Sequence, residues 1–136
     1  MEFSLEQLDR AAAKVVDAIN STKLDNHATL VTFSGDLGAG KTTLIQEIAR
    51  QLGVAETLQS PTYVIYKRYG NVVHGDMYRL ESSEEIKKLG WDDLLSNPNN
   101  TLLIEWPEKI ADVVPNWAIR VMLSQKGEKL RSIDIG

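Results

Sequence analysis

The sequence predicts an α/β fold of three layers, with a mainly parallel sheet and antiparallel additions at its margins. Three observations carry this expectation. A continuous apolar run, Ala28-Thr29-Leu30-Val31-Thr32-Phe33, stands between two stretches of helical periodicity, as a buried strand does between the helices that cover it. A glycine-rich segment joins that run directly to the second helical stretch. Farther on, strand-like runs flank Gly70-Asn71 and Lys126-Gly127, turn signals that set neighbouring strands antiparallel.

Composition supports one core. The 136 residues are 43% hydrophobic and 25% charged, a globular balance at a length that buries enough surface to fold unaided. No repeat, low-complexity tract or linker interrupts them, so residues 1–136 are expected to form a single domain. A net charge of -4 disfavours unaided binding to nucleic-acid backbones, and the basic pair Lys67-Arg68 reads as a solvated strand surface. The absence of cysteine excludes disulfides, thiolate metal sites and thiol nucleophiles. An acidic start without a long apolar run predicts neither a signal peptide nor a membrane span, and the expected location is cytoplasmic.

Each element has its own signal. Over residues 3–19, Leu5, Leu8, Ala12, Val15 and Ile19 recur at steps of three and four, which predicts an amphipathic helix. Ser4 with Gln7 supplies a capping box for its start, and Phe3 with Leu8 a hydrophobic staple. The strand over 28–33 stops at Ser34-Gly35. In the next helix Leu44, Ile45, Ile48, Ala49 and Leu52 share a face, with Gly53 placed as the C′ residue. Residues 63–69 and 72–74 form a hairpin around Gly70-Asn71. Ser82 and Glu85 offer a capping box for a short helix through Leu89, ended by Gly90. Residues 101–105, Thr-Leu-Leu-Ile-Glu, read as a buried strand ending in an acid. Ile119, Val121 and Leu123 then alternate with Arg120 and Met122 in the period of a half-buried strand. The run 130–135 alternates less cleanly, which suits a bulge or an edge position.

The glycine-rich segment is Gly35-Asp36-Leu37-Gly38-Ala39-Gly40-Lys41-Thr42. It satisfies Gly-x-x-x-x-Gly-Lys-Thr in the strand–loop–helix context of a phosphate-binding loop, and so specifies the three-layer architecture as a P-loop NTPase fold. Glycines let successive backbone N–H groups converge on phosphate oxygens, and the following helix adds its positive end. Lys41 is assigned to the β and γ phosphates of ATP and the Thr42 hydroxyl to Mg²⁺. Thr43, taken with the same segment, serves helix start and packing.

Such a site also needs an acid near the metal, at the end of a neighbouring strand. Glu105 is favoured, because its strand is uniformly apolar and therefore central; the competing reading is a strand-end carboxylate facing solvent. Asp76 reads either as the group that positions or deprotonates the attacking water or as a turn aspartate. Arg79 neutralises phosphoryl charge or pairs with Asp76 and Glu81. Thr62, in Ser60-Pro61-Thr62-Tyr63, suits a γ-phosphate sensor or an ordinary loop-to-strand junction. His27 and His74 lack metal-ligand spacing and read as structural or surface residues. No Asn-Lys-x-Asp string follows the P-loop, and the nearest approach, Thr22-Lys23-Leu24-Asp25, precedes it. GTP is therefore disfavoured.

Taken together, Gly35 to Leu44, Ser60-Pro61-Thr62-Tyr63, His74-Gly75-Asp76-Met77-Tyr78-Arg79-Leu80 and Leu103-Ile104-Glu105-Trp106-Pro107-Glu108 resemble the bacterial TsaE (YjeE-type) family of threonylcarbamoyladenosine biosynthesis in tRNA. The order and spacing of the strings make the set specific. The resemblance implies an ATPase that docks on the TsaB–TsaD heterodimer and supports its turnover, with tRNA met through that complex. By position it implies that Lys41 and Thr42 hold phosphate and Mg²⁺ and that Glu105 is the second metal-linked residue. It further places Thr62 in a switch-like loop, Asp76 near the attacking water and Trp106 at the nucleotide or the partner. The chain departs from the family at Gly75, where relatives commonly carry a bulkier residue, which implies a looser backbone beside Asp76. Two other functions are compatible with the residues: a small P-loop metabolite kinase, and an ATP-dependent binding switch with negligible hydrolysis of its own.

Overall fold

The structure, a computed structural model, describes residues 1–22, 26–35, 40–58 and 65–136. Its strands are β1 (Glu2–Ser4), β2 (Thr29–Ser34), β3 (Tyr66–Tyr69), β4 (Val72–Asp76), β5 (Thr101–Glu105), β6 (Ile119–Gln125) and β7 (Leu130–Ile135). They form one sheet in the order β1-β7-β6-β2-β5-β4-β3. The four central strands, β6, β2, β5 and β4, are parallel to one another. Antiparallel pairings extend the sheet on both sides, through β3 at one margin and β7 with β1 at the other.

Helices α1 (Leu8–Ser21) and α2 (Lys41–Gln51) lie on one face, and α3 (Ser83–Lys88) and α4 (Trp91–Ser96) on the other. Side chains of period two divide between these faces. Val31, Phe33, Leu103, Val121 and Leu123 meet Val15, Ile19, Leu44, Ile45 and Ile48 in one core. Leu30, Val73, Leu102 and Ile104 meet Ile86, Trp91, Leu94 and Ile110 in the other. The three predicted layers follow, and the uniform burial of β5 between β2 and β4 matches the expectation that its apolar run is central.

Several boundaries differ from the sequence reading. The first helix starts at Leu8: Glu2–Ser4 pairs with β7, and Leu5–Gln7 is a 3₁₀ turn that leaves Leu5 73% exposed. Periodicity alone did not separate these, because Phe3 is buried whether it belongs to a strand or to a helical face. The Ser4–Gln7 box persists on that turn, with the Ser4 N–H donating to Gln7 Oε1 at 3.0 Å. The β7 strand is unbulged along its register with β6, and β1 covers Leu130–Ser132, so this stretch is internal. Gly90, at φ +91, ends α3 and also starts α4, a helix without a separate signal in the sequence. A second 3₁₀ segment, Pro107–Val113, follows β5, and the Val113 carbonyl accepts from the Trp91 indole at 3.0 Å. The turn between β3 and β4 has positive φ at Gly70 but not at Asn71, the pattern of a II′ hairpin.

Gly35 is held most tightly of the described glycines. Its φ is +147, and a Cβ there would lie 2.2 Å from the backbone oxygen of Leu123. Gly53 also has positive φ, +95, but a Cβ there would meet nothing within 4 Å. Gly53→Ala therefore isolates backbone strain, whereas Gly35→Ala adds a collision with the neighbouring strand. We expect urea unfolding without nucleotide to show a loss of roughly 1–2 kcal/mol for Gly53→Ala and of about 3 kcal/mol or more for Gly35→Ala. Equal losses would contradict this account of Gly35.

Candidate functional site

Parallel pairing brings three strand ends to one level. Phe33 of β2 is in register with Glu105 of β5, and Glu105 with Asp76 of β4. Residues directly opposite each other in a ladder project from the same face, here the face covered by α2. The N-terminus of α2 arrives over these ends, since β2 leads into the glycine-rich segment and Lys41 begins the helix. Gly40, at φ +90, is its N-cap residue.

The N-terminal turn of α2 meets β5 through side chains. Thr42 Oγ1 donates to Glu105 Oε1 at 3.2 Å. Glu105 is 4% exposed, which rules out the reading of a carboxylate facing solvent. Its Oε2 accepts from His74 Nε2 at 2.8 Å, and His74 is fully buried. Lys41 is buried too, its ammonium donating to the Gly35 carbonyl at 2.6 Å and standing 3.6 Å from the centroid of the Trp106 ring. An ammonium over an indole face is an attractive cation–π arrangement, strengthened where water is excluded.

Trp106 takes φ 58 and ψ 53, the only non-glycine positive φ among the described residues. Backbone strain of this kind is retained where surrounding structure over-determines it, commonly at functional sites. The following Pro107 restricts it further, and the Trp106 ring also packs on Tyr78, their centroids 5.0 Å apart.

Asp76 ends β4 half-buried, with its Oδ1 accepting the Tyr78 N–H at 3.0 Å. Burial pushes its carboxyl above the ordinary value, the Tyr78 N–H opposes that, and the neighbouring Glu105 charge adds to it. The backbone next to it is not loose, contrary to what the departure at Gly75 implied. Gly75 pairs with Tyr66 on one side and Ile104 on the other, and the space a Cβ would take is filled by Ile104 Cδ1 and Met77 Cε, each 2.8 Å away. Arg79 lies exposed on the turn after Asp76, and Thr43 is exposed at the start of α2. Asp36, Leu37, Gly38 and Ala39, and Thr62 within Ser60-Pro61-Thr62-Tyr63, lie outside the described residues.

A cavity of about 600 Å³ opens beside Gly40 and Thr43, lined also by Phe3, Ser4, Leu5, Leu8 and Arg131. Its size suits a small organic ligand. Gly40 and Thr43 belong to the glycine-rich segment, whereas Phe3, Ser4, Leu5, Leu8 and Arg131 carry no ligand-binding motif, and their convergence depends on β1 pairing with β7. In the sequence Phe3, Ser4, Leu5 and Leu8 read only as the cap, staple and apolar face of the first helix, and Leu5 is in fact exposed. Among the described residues no three His, Asp or Glu side chains group as a metal cage. The Thr42–Glu105 pair instead offers hard oxygen donors of the kind that hold Mg²⁺ together with phosphate oxygens. Likewise among the described residues, no helix is long and apolar enough to cross a membrane.

Comparison with known proteins agrees with the motif pattern. The family described as "Threonylcarbamoyl adenosine biosynthesis protein TsaE" matches residues 3–133. A Haemophilus influenzae protein named tRNA threonylcarbamoyladenosine biosynthesis protein TsaE is 34% identical over 124 residues, which are 88% of this chain and 75% of that one. Its namesake in Bacillus subtilis is 34% identical over 76% of this chain and 66% of its own length. The Rickettsia typhi namesake is 39% identical over 69% of this chain and 67% of its own. The chain thus spans from about two thirds to three quarters of the length of these relatives. A crystal structure of YdiB from Bacillus subtilis superposes with a TM-score of 0.69 at 25% identity, covering 99% of this chain and 82% of that one.

The Asp76 environment predicts a pH effect of definite sign. A carboxyl whose folded pKa is raised above its unfolded value contributes stability that is complete below the unfolded pKa and is lost as pH rises through the folded one. Asp76→Asn removes this dependence while keeping an oxygen for the Tyr78 N–H. We expect the stability of the variant relative to the parent, from urea unfolding, to increase as pH is raised from below 3.8, the ordinary aspartate value, to neutrality. A constant difference would contradict the burial effect.

Proposed function

This chain belongs to the TsaE family, and on that premise we propose that it binds Mg-ATP where β2, β4 and β5 end and hydrolyses it in support of threonylcarbamoyladenosine formation in tRNA. In this reading it docks on a TsaB–TsaD heterodimer, which carries out the transfer to tRNA, in the cytoplasm, as a single P-loop NTPase domain. The contact of the hydroxyl of Thr42, the residue after Lys41, with the buried Glu105 carboxylate carries the proposal. It supports a metal-holding role for this pair, at the positive end of α2 to which phosphates are attracted.

Each described residue then has a role its position supports, and the roles of residues 36–39 and Thr62 rest on the motifs alone. Lys41 is assigned to the β and γ phosphates, its ammonium held by the Gly35 carbonyl and the Trp106 face. Thr42 and Glu105 would hold Mg²⁺, which when bound neutralises charge between phosphate oxygens. Asp76, beside Glu105 in the sheet and half-buried, orients the attacking water and takes its proton. Residues 35–40 supply backbone N–H groups, with Thr43 at the rim, and the cavity beside Gly40 receives the nucleoside. Thr62 is the proposed γ-phosphate sensor. Arg79 sits on an exposed turn, a position that favours completion of the site by a partner and slow hydrolysis by the isolated chain.

Ligand-induced stabilisation tests the first step. At about 100-fold excess of Mg-ATP over its dissociation constant the gain is about 2.7 kcal/mol, a rise of roughly 8–10 °C in thermal midpoint for a chain of this size. Mg-GTP should give little, and Lys41→Ala should lose most of the Mg-ATP effect. In a reconstituted tRNA-modification reaction with TsaB and TsaD, the same variant should abolish repeated turnover. Retained turnover would sink the coupling. Formation of ADP only on addition of a metabolite, with a phosphorylated product, would establish a kinase instead.

A further inference from the structure

His74 sits at a core position yet is not an aliphatic residue. It lies on β4, pinned by pairing to Lys67 on one side and Leu103 on the other, and it is fully buried on the face where Val72 and Leu103 join the aliphatic core. A buried polar ring at such a position costs stability unless its nitrogens are bonded. Only one is: Nε2 meets Glu105 Oε2 at 2.8 Å, whereas Nδ1 has no hydrogen-bond partner among the described residues. An unsatisfied buried nitrogen costs on the order of 1–3 kcal/mol, so an aliphatic side chain would serve the core better. The imidazole therefore calls for a reason beyond packing.

Its geometry supplies one. An ionised carboxylate only accepts hydrogen bonds, so Nε2 carries the proton it shares with Glu105. The Glu105 carboxylate is gripped at both ends, Oε2 by His74 at 2.8 Å and Oε1 by Thr42 at 3.2 Å. The shorter bond comes from the side chain that is rigidly fixed in the sheet. A carboxylate so held keeps one oxygen turned toward the N-terminal turn of α2, instead of swinging about its χ angles or away from the like charge of Asp76.

We propose that His74 is a positioning residue for the metal-holding site: it locks the Glu105 carboxylate in the orientation that faces Thr42. It does not touch the nucleotide or the reacting atoms. The inference rests on the Mg-ATP reading, and it concerns the preorganisation of that site, which sets how much Mg²⁺ nucleotide binding requires. Groups that hold a metal ligand in place typically change metal affinity by 10–100-fold when removed.

The test is a Mg²⁺ titration of nucleotide binding, followed with a fluorescent N-methylanthraniloyl ATP at fixed concentration, on the parent, His74→Leu, His74→Gln and His74→Asn. The glutamine amide can place a donor near the Nε2 position; asparagine is too short to reach it. We expect half-saturating Mg²⁺ to rise about tenfold or more for His74→Leu and His74→Asn and to stay within about threefold of the parent for His74→Gln. Nucleotide binding in excess chelator should be the same in all four. Should the leucine variant fail to fold, the glutamine and asparagine pair decides on the same criterion. Unchanged Mg²⁺ dependence in the asparagine variant, or equal losses with and without Mg²⁺, overturns the positioning role while Mg-ATP binding by the parent stands. A parent that shows no Mg²⁺-dependent nucleotide binding overturns both.

Discussion

The register of β5 with its two parallel neighbours is the constraint on which the rest of the site depends. Pairing Phe33 with Glu105 and Glu105 with Asp76 sets the level at which the chain leaves the sheet. Since β2 runs into the glycine-rich segment and α2, that level also fixes where Lys41 and Thr42 arrive. A slip of one residue would turn Glu105 and Asp76 to the opposite face, toward Ile86 and Trp91 and away from α2. Register is strongly specified because both faces of β5 are buried, with Leu103 facing one core and Leu102 and Ile104 the other. Apolar burial with no catalytic content thus determines the placement of the charged groups.

Those charged groups run against folding stability. Lys41 and Glu105 are buried, with the polar His74 ring beside Glu105, and removing charged groups from water costs several kcal/mol each before their interactions offset it. Here the offsets are specific: a carbonyl and an indole face for the ammonium, a hydroxyl and an imidazole for the carboxylate. The Trp106 backbone, at positive φ, adds local strain that a glycine would relieve. A site arranged this way is preorganised, because its side chains are already oriented by contacts that do not depend on a ligand. Asp76 differs in being half-buried and joined to a flanking turn, a position with access to water.

Much of this was legible in the chain itself. Gly35, Gly40, Lys41 and Thr42 carry the phosphate-loop pattern in their spacing, and the apolar run before Glu105 marks a central strand. Other parts were not. Phe3 fits a helical stripe as well as a strand, and only the availability of β7 as a partner decides in favour of the strand. Gly90 reads as the end of one helix, while its role in starting another needs the Trp91 side chain to find its pocket and the Val113 carbonyl. Gly75 suggested slack, yet the space is filled by Ile104 and Met77, residues whose reach no local pattern encodes. His74 read as structural or surface because its partner, Glu105, is distant in sequence.

What the sequence by itself determined is the motif pattern and, through it, the residues to which the proposed chemistry is assigned. Phosphate-cradle motifs act through backbone geometry and local spacing, both of which are written in consecutive residues. The family followed from the same motifs taken in order. Only the tertiary structure decided which acid faces Thr42, what holds that acid still, and which distant residues wall the cavity beside Gly40. Those are matters of strand register and side-chain convergence across tens of residues, set by the packing of two apolar cores rather than by any local preference.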